Sequence, residues 1–485
     1  MKANPFEPSS DPHYATKVLL TVTAVALLVN YVETMVIPGI PTIQSDLNTT
    51  ETIASWITSA FLIVGAAVAP LFGKLGDIYG KKKIFLIVLI FYIAGVGLAG
   101  FAPTIYFLLF ARAVQGVGFA VIPLGLAIIT DIFPKEKVAT AQGIISGTFA
   151  IGATAGLVIG AYIVQDIGWQ WAFHSAFILS IILFFIVLKM LKKDTPGQKS
   201  KVDYLGAAIL MAGVTLALVY LSEAPTLGWL SLENIGFLVP GLILTVFFFI
   251  FESRRADPLI QLSLLKIRNV LIANIVGILT GMAMFLVFFG VIYFAQQKPL
   301  PYGLGLDIIT TGLTLAPATL VMLVAGPLIG RSMTRIGPKP VLFLGASISL
   351  AGMILFVYSR SSTFDLTVDV AVVLIGVVSM IIPIINMVAV SLPSSNTAVG
   401  LGLNTMLRNL GGAIGPVVAT TIMSTYYDVI TKVVNGHPVI IVLANPTAFN
   451  IVFGVGIILT IAVLILSLLI KNYTFKKNDG KTKPG

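Results

Sequence analysis

A chain of 485 residues that is 57% apolar and only 10% charged has a mean hydropathy of +1.00; a soluble domain carries about 25% charged residues, so water is excluded as its main solvent. The 30 Lys and Arg outnumber the 20 Asp and Glu, giving a net charge of +10, but they sit between apolar stretches, which argues against a nucleic-acid footprint. The lack of cysteine removes disulfides and thiolate chemistry, and His13, His174 and His437 are too scattered for a metal site, so neither metal nor cofactor is expected.

Residues 1–17 form a polar tail with Pro5, Pro8 and Pro12 and no basic n-region, so the first apolar stretch reads as a retained membrane helix. Apolar stretches of roughly 20 residues cross a bilayer, and they must be helical because an open strand edge is unsatisfied in lipid. Six are expected near 18–38, 53–72, 84–102, 104–129, 138–165 and 172–191. Two follow near 203–222 and 234–252. The last six fall near 270–295, 306–329, 340–358, 368–391, 397–424 and 447–470. The expectation is an all-α polytopic membrane protein of 14 transmembrane helices, with both termini on one side.

Placing the N-terminus in the cytoplasm puts most cations inside, including Lys81, Lys82, Lys83, the Lys189 to Lys201 group, Arg254, Arg255 and the tail from Lys471. Lys298, Arg360 and Lys432 fall outside, while Arg112 and Arg408 lie within helices. This is the asymmetry of the positive-inside rule, and shifting the count by one helix destroys it. The expected location is the plasma or inner membrane.

The chain also reads as a duplication. Gly73 opens a Gly-Lys-Leu-Gly-Asp run, and Gly330 opens Gly-Arg-Ser-Met-Thr-Arg-Ile-Gly; Gly156 and Gly415 close glycine-rich segments at matching distances beyond them. Two six-helix bundles are expected, at 18–191 and 269–470. Two extra central helices lie between them in 192–268, and 471–485 is a tail. Two facing repeats around a central cavity suit alternating access.

In Gly73-Lys74-Leu75-Gly76-Asp77-Ile78-Tyr79-Gly80-Lys81-Lys82-Lys83 the glycines permit a tight turn and Asp77 can cap a helix or pair with a cation. The plain alternative is an ordinary charged turn. Arg112 lies inside a span, where it must face a partner or a wet cavity; a static structural pair is the other reading. Gly143, Gly147, Gly152, Gly156 and Gly160 give the fifth helix a smooth packing face. Glu33 is the one acid read as lying well inside a span, and the cost of an uncompensated charge there makes it a candidate proton carrier. Its alternative is a permanent partner for a nearby donor. Asn30, Gln115, Phe285, Phe289, Asn386, Asn404 and Arg408 are the candidates for a substrate cavity; for Arg408, snorkelling to the interface is the alternative.

The Gly73–Lys83 run resembles the signature loop of the major facilitator superfamily. That resemblance implies a conformational latch at Gly73, Asp77, Gly80 and Lys81. Arg112, Gln115, Gly116 and Gly118 match the superfamily's Arg-x-x-Gln-Gly-x-Gly pattern, which implies a part for Arg112 in proton coupling. The fifth helix resembles the antiporter signature Gly-x-x-x-Gly-Pro-x-x-Gly-Gly, with Leu157 in place of proline and Ala161 in place of the last glycine. The helix number, Trp169-Gln-Trp171-Ala-Phe173, Asp203-Tyr-Leu-Gly206 and Asn404-Thr-Met-Leu-Arg408-Asn409-Leu-Gly411-Gly412 resemble the fourteen-helix drug:proton antiporter-2 family. There an Asp-x-Thr pattern is usual, where this chain has Val32-Glu33-Thr34.

The implied function is proton-coupled export of amphiphilic or cationic small molecules by a monomer in the lipid bilayer. The alternative on the same fold is a proton symporter for a sugar or organic acid. An enzyme is not expected, because no paired carboxylates, His cluster or activated nucleophile occupies a span, and no phosphate loop ending in Lys-Ser or Lys-Thr points to ATP.

Overall fold

Transmembrane helices need a start signal where the chain enters lipid, and here it lies in the residue before the helix. Thr50, Thr104, Ser231, Asp307, Ser362 and Asn445 each accept a hydrogen bond from a backbone N–H in the first turn of the helix that follows. The computed structural model describes residues 12–192, 202–255, 258–297, 302–392, 394–434 and 437–473. Residues 1–11 and 474–485 of the two expected tails, and most of the Lys189 to Lys201 group, lie outside the described residues.

The first span is α1 (Pro12–Met35) continued by α2 (Ile40–Asp46), with a 3₁₀ turn at Ile37–Gly39 between them. It is followed by α3 (Glu51–Tyr79) and α4 (Lys81–Gly100). The fourth span joins α5 (Ile105–Gly116) to α6 (Val121–Ile132) through a 3₁₀ turn. The fifth joins α7 (Lys135–Ala155) to α8 (Ala161–Asp166) through a π-helical turn at Gly156–Gly160, and α9 (Trp169–Met190) completes the first half. Next come the inserted pair α10 (Tyr204–Leu227) and α11 (Leu232–Ser253). The second half is α12 (Arg268–Gln296), α13 (Ile308–Ile336), α14 (Pro338–Tyr358), α15 (Thr363–Ser391), α16 (Ser394–Thr425) and α17 (Pro446–Leu468). Among the described residues thirteen spans are long and apolar enough to cross a membrane; α16, a 32-residue helix that carries Asn404, Arg408 and Asn409, occupies the place of the remaining expected one.

The spans are helical as expected, and the structure adds one element outside them: between α16 and α17, β1 (Tyr427–Val434) pairs antiparallel with β2 (His437–Ala444), Tyr427 opposite Ala444. A hairpin is permitted there because it lies outside the spans, where water satisfies its open edges.

The duplication extends into tertiary contacts. Gly80 and Gly337 end α3 and α13 with φ of 100° and 87°, a conformation that favours glycine. Two residues after each stands a lysine that binds the C-terminal carbonyls of another helix of its own half. Lys82 donates to Leu188 at 2.9 Å and to Leu191 beyond α9, and Lys339 donates to Leu468 at the end of α17, at 2.8 Å. A cation at a helix C-terminus also meets the negative end of the helix dipole.

The halves meet tightly at the face opposite the termini. Gln44 accepts from Tyr293 at 3.0 Å, the Pro38 carbonyl from Gln296 at 2.6 Å, and Gln165 from the Ile309 N–H at 2.9 Å. Deeper along the same seam, Thr52 meets Ser424, Ser59 donates to the Ala413 carbonyl and Thr154 meets Thr319. Toward the terminal face the surfaces part: a side chain built at Gly73, Gly143, Gly147, Gly330 or Gly402 meets no atom within 4 Å. There the first half keeps an apolar core of its own around Val22, Phe85, Leu124 and Ile145.

Candidate functional site

Three of the first six spans abandon regular α-helix in mid-course, at Ile37–Gly39, Val117–Ala120 and Gly156–Gly160. Irregular backbone at membrane depth survives where it is packed in protein, and π-turns recur at functional sites. These breaks flank a buried polar cluster built from α1, α4 and α5.

Arg112 is its centre. The guanidinium is fully buried; its Nε donates to the Ile57 carbonyl at 2.8 Å, one Nη donates to Gln115 at 2.9 Å, and the group lies over the Phe61 ring at 4.3 Å. Glycines let the helices close around it. A side chain at Gly95 collides with the Gln115 backbone, one at Gly116 with the Phe61 carbonyl and one at Gly118 with the Tyr92 ring. Not every donor of the cluster is satisfied. The other Nη of Arg112 and the Gln115 amide nitrogen have no hydrogen-bond partner among the described residues, and the Tyr92 hydroxyl approaches Gln115 without hydrogen-bond geometry.

Glu33 stands opposite, 3% exposed, with one carboxylate oxygen unpartnered among the described residues. It lies within electrostatic reach of Arg112 and, across the seam, of Arg408 on α16. Arg408 is half-buried near the middle of a 32-residue helix, makes no hydrogen bond to a described residue, and faces inward rather than snorkelling to an interface. The Arg408 carbonyl lies where a side chain on Gly281 would sit, so α12 and α16 touch backbone to backbone beside it. Buried polar atoms are normally paired, so the open valences of Glu33, Arg112 and Gln115 set this cluster apart from the braced polar groups around it.

The fifth-helix glycines pack on α1. Positions for side chains at Gly152, Gly156 and Gly160 are occupied by Asn30, Thr34 and Met35 respectively. Asn30 donates to the Ala26 carbonyl at 2.8 Å and to Thr148 at 3.3 Å, and Thr34 to the Ala153 carbonyl at 3.2 Å. Asn30 is thus a brace between α1 and α7 rather than a free cavity group.

Other candidates scatter. Asn404 donates to the Ala273 carbonyl and to Asn274, so it fastens α16 to α12. Asn386 is placed away from the cluster: half-buried in the last turns of α15, it accepts from Tyr473 at 2.8 Å beyond the end of α17. Helical periodicity marks it as inward but does not give its depth. Phe285 and Phe289 are buried on α12, Phe285 against Gly412. In the signature loop Asp77 is exposed, within electrostatic reach of Lys81 and Asp131, and Lys81 forms an ion pair with Asp131 of α6 at 2.5 Å.

The sequence reading missed two residues. Tyr92 reads as one more aromatic among many; the spacing of Gly95 beside it was the available signal. Asp369 is 2% exposed with an unpartnered oxygen, in the second turn of α15. The expected helix starts at 368, beside Asp369, whereas α15 starts at Thr363 and places Asp369 inside it.

Two facing halves that meet along a seam, with a buried carboxylate and arginines of both halves beside it, are an architecture suited to a membrane transporter. The Major Facilitator Superfamily model matches residues 22–416 and 275–484, and the chain belongs to that family. The chain is 31% identical over 250 residues to Multidrug resistance protein 3 of Bacillus subtilis, covering 51% of this chain and 49% of that protein. Identity is 25% to the Multidrug transporter protein MdtP of B. subtilis, over 81% of this chain and 72% of that one. It is also 25% to the Multidrug export protein EmrB of Escherichia coli, over 82% and 78%. Among solved structures, the nucleoside transporter NupG superposes with a TM-score of 0.63 at 13% identity, covering 93% of this chain and 99% of that one. The D-xylose-proton symporter also gives 0.63, at 15% identity, covering 93% and 97%. These last two likenesses concern the fold alone.

Proposed function

We propose that this protein exports amphiphilic or cationic small molecules in exchange for protons. Its termini lie in the cytoplasm, so the parted face is the cytoplasmic one. The observation that carries the reading is Glu33, buried with an open valence between Arg112 of its own half and Arg408 of the other. A cation entering from the cytoplasm is attracted by ionised Glu33; protonation removes that attraction and leaves Arg112 and Arg408 to repel the cation. Substrate and proton therefore exclude one another, which is what exchange requires. The names of the multidrug relatives support small-molecule drugs as the cargo. Gly73, Asp77, Gly80 and Lys81 form the latch of the first half, with Lys81 holding Asp131 while the terminal face is parted.

The test is flux in proteoliposomes under an imposed pH gradient, with a fluorescent quaternary ammonium dye as cargo. The wild-type protein accumulates dye against its gradient and Glu33→Gln loses proton-driven accumulation while still binding dye; undiminished proton-driven flux in Glu33→Gln would remove the assignment.

A second reading, uptake of an organic acid with a proton, has one observation in its favour: two arginines face one carboxylate. An anion held by Arg408 favours a protonated Glu33, so anion and proton would bind together. Counterflow under an inverted gradient separates the two.

A further inference from the structure

The Asp203-Tyr-Leu-Gly206 segment has no part in the central cavity, yet it encloses a second buried acid cluster. Asp203 caps α10, accepting from the Gly206 N–H at 2.8 Å, and Glu252 ends α11, accepting from the Ile260 N–H at 2.9 Å. Both are deeply buried, at 5% and 2% exposure, and among the described residues one oxygen of each has no hydrogen-bond partner. These two oxygens converge on the place a Gly206 side chain would occupy, within electrostatic reach of each other. Gly206 makes room for them, since a side chain there would fall on Glu252 and Asp203. A cavity of about 270 Å³ lined by Glu252, Arg255, Pro258 and Gln261 adjoins the pair.

Charge balance limits what can sit between them. Arg255 lies 3.7 Å from Asp203 and its guanidinium stacks on Phe251, so it compensates one negative charge. Arg254, Lys266 and Arg268 on adjoining turns are exposed. The faces of α3 and α16 packed here are apolar, represented by Ala66, Leu403, Met406 and Leu410. Asp257 lies outside the described residues. Two buried carboxylate oxygens converging on one place repel unless a proton joins them. Among the described residues no group of three potential metal ligands is present.

We propose that Asp203 and Glu252 share one proton and form a second proton site, a clasp that fastens α10, α11 and the 258–266 connector together at the terminal face. The clasp has leverage on transport because α10 bridges the seam. At its far end, Trp56 of α3 donates to Ser222 at 3.1 Å and Thr421 of α16 donates to the Leu221 carbonyl at 3.0 Å. At its near end the clasp lies against Ala66 of α3 and Leu403 of α16. With the proton in place the insert is a closed strut across the two helices that slide; without it, two adjoining negative charges push α10 and α11 apart and release Ile260.

The chain contains no cysteine, so single thiols report local opening cleanly. Maleimide labelling of Ile260→Cys, divided by that of exposed Ser263→Cys at the same pH to cancel thiol ionisation, is followed from mildly acidic to mildly alkaline buffer in the full-length protein. The ratio rises severalfold with pH in the otherwise unaltered chain and stays low and flat when Glu252→Gln is added, because the amide donates permanently to Asp203. Amide exchange of the 258–266 peptide in the cysteine-free protein gives the same readout without a thiol. A flat ratio in the unaltered chain, a rise retained in Glu252→Gln, or protection restored at alkaline pH by added calcium would each overturn the shared proton.

Discussion

The two halves handle buried polarity in opposite ways. In the first, Glu33, Arg112 and Gln115 are walled in by Phe61, Tyr92 and three glycines and keep unpartnered atoms. In the second, Asn274 and Asn404 bond one another and the backbone, Arg408 reaches toward the seam, and the unpartnered atoms of Thr280, Ser349 and Asp369 stand on three different helices rather than in one cluster. Helix breaks follow the same division: among the described residues the 3₁₀ and π turns inside spans all belong to the first half, while α12, α13 and α15 run unbroken for 29 residues each and α16 for 32. Under the proposed exchange, one repeat carries the proton chemistry and its twin supplies a scaffold plus a counter-charge.

The strongest attempt to break this comparison removes the first half's charge. Arg112→Met leaves Glu33 without its nearest cation and frees the Ile57 carbonyl, at an expected cost of about 3–5 kcal/mol, read by thermal unfolding in detergent. Arg408→Met, equally cationic but half-buried and unbonded, is expected to unfold like the wild type while losing coupled transport; equal damage from both would erase the asymmetry.

Packing gives the next largest contrast, within one helix. Gly156→Val drives a side chain into Thr34 and the Tyr31 carbonyl and is expected to cost about 1–3 kcal/mol or more. Gly147→Val meets open space and is expected to change stability by about 0.5 kcal/mol or less. It should nonetheless slow turnover, because Gly147 lies on the surface that must close when the terminal face shuts. Gly147→Val with full turnover would mean the parted face does not close along α7.

A smaller effect sharpens the scaffold side. Asn404→Ala removes one brace from α12 to α16 and leaves Asn274 Oδ1 without its donor, at about 1–2 kcal/mol with coupling retained.

The smallest concerns pH. The Thr310 side chain and backbone N–H hold the Asp307 carboxyl below its usual range at the start of α13. A folded-state value below the unfolded one means this contribution is present above the unfolded pKa and fades as pH falls through the folded one. Asp307→Asn should therefore unfold with a slightly flatter acid limb than the wild type.

Hydropathy displayed the spans because lipid admits only one backbone solution, and α16 was legible despite Asn404 and Arg408 because its apolar flanks are long. The hairpin at Tyr427–Ala444 was hidden, since strand pairing depends on register between segments. Glu33 and Arg112 were visible as charges where charge is costly. Their partners were not: Arg112 binds the Ile57 carbonyl, and backbone carbonyls carry no sequence signature. Asp369 and Asn386 show the other limit, because a shift in one helix start, or a depth that periodicity does not report, changes what a polar residue faces.

Proton counting on ligand binding tests the central claim most directly. Adding the quaternary ammonium dye to the solubilised protein in weak buffer with a pH indicator should release protons from the wild type and none from Glu33→Gln. Proton uptake on binding, or equal release from Glu33→Gln, would contradict Glu33 as the group that substrate and proton contest.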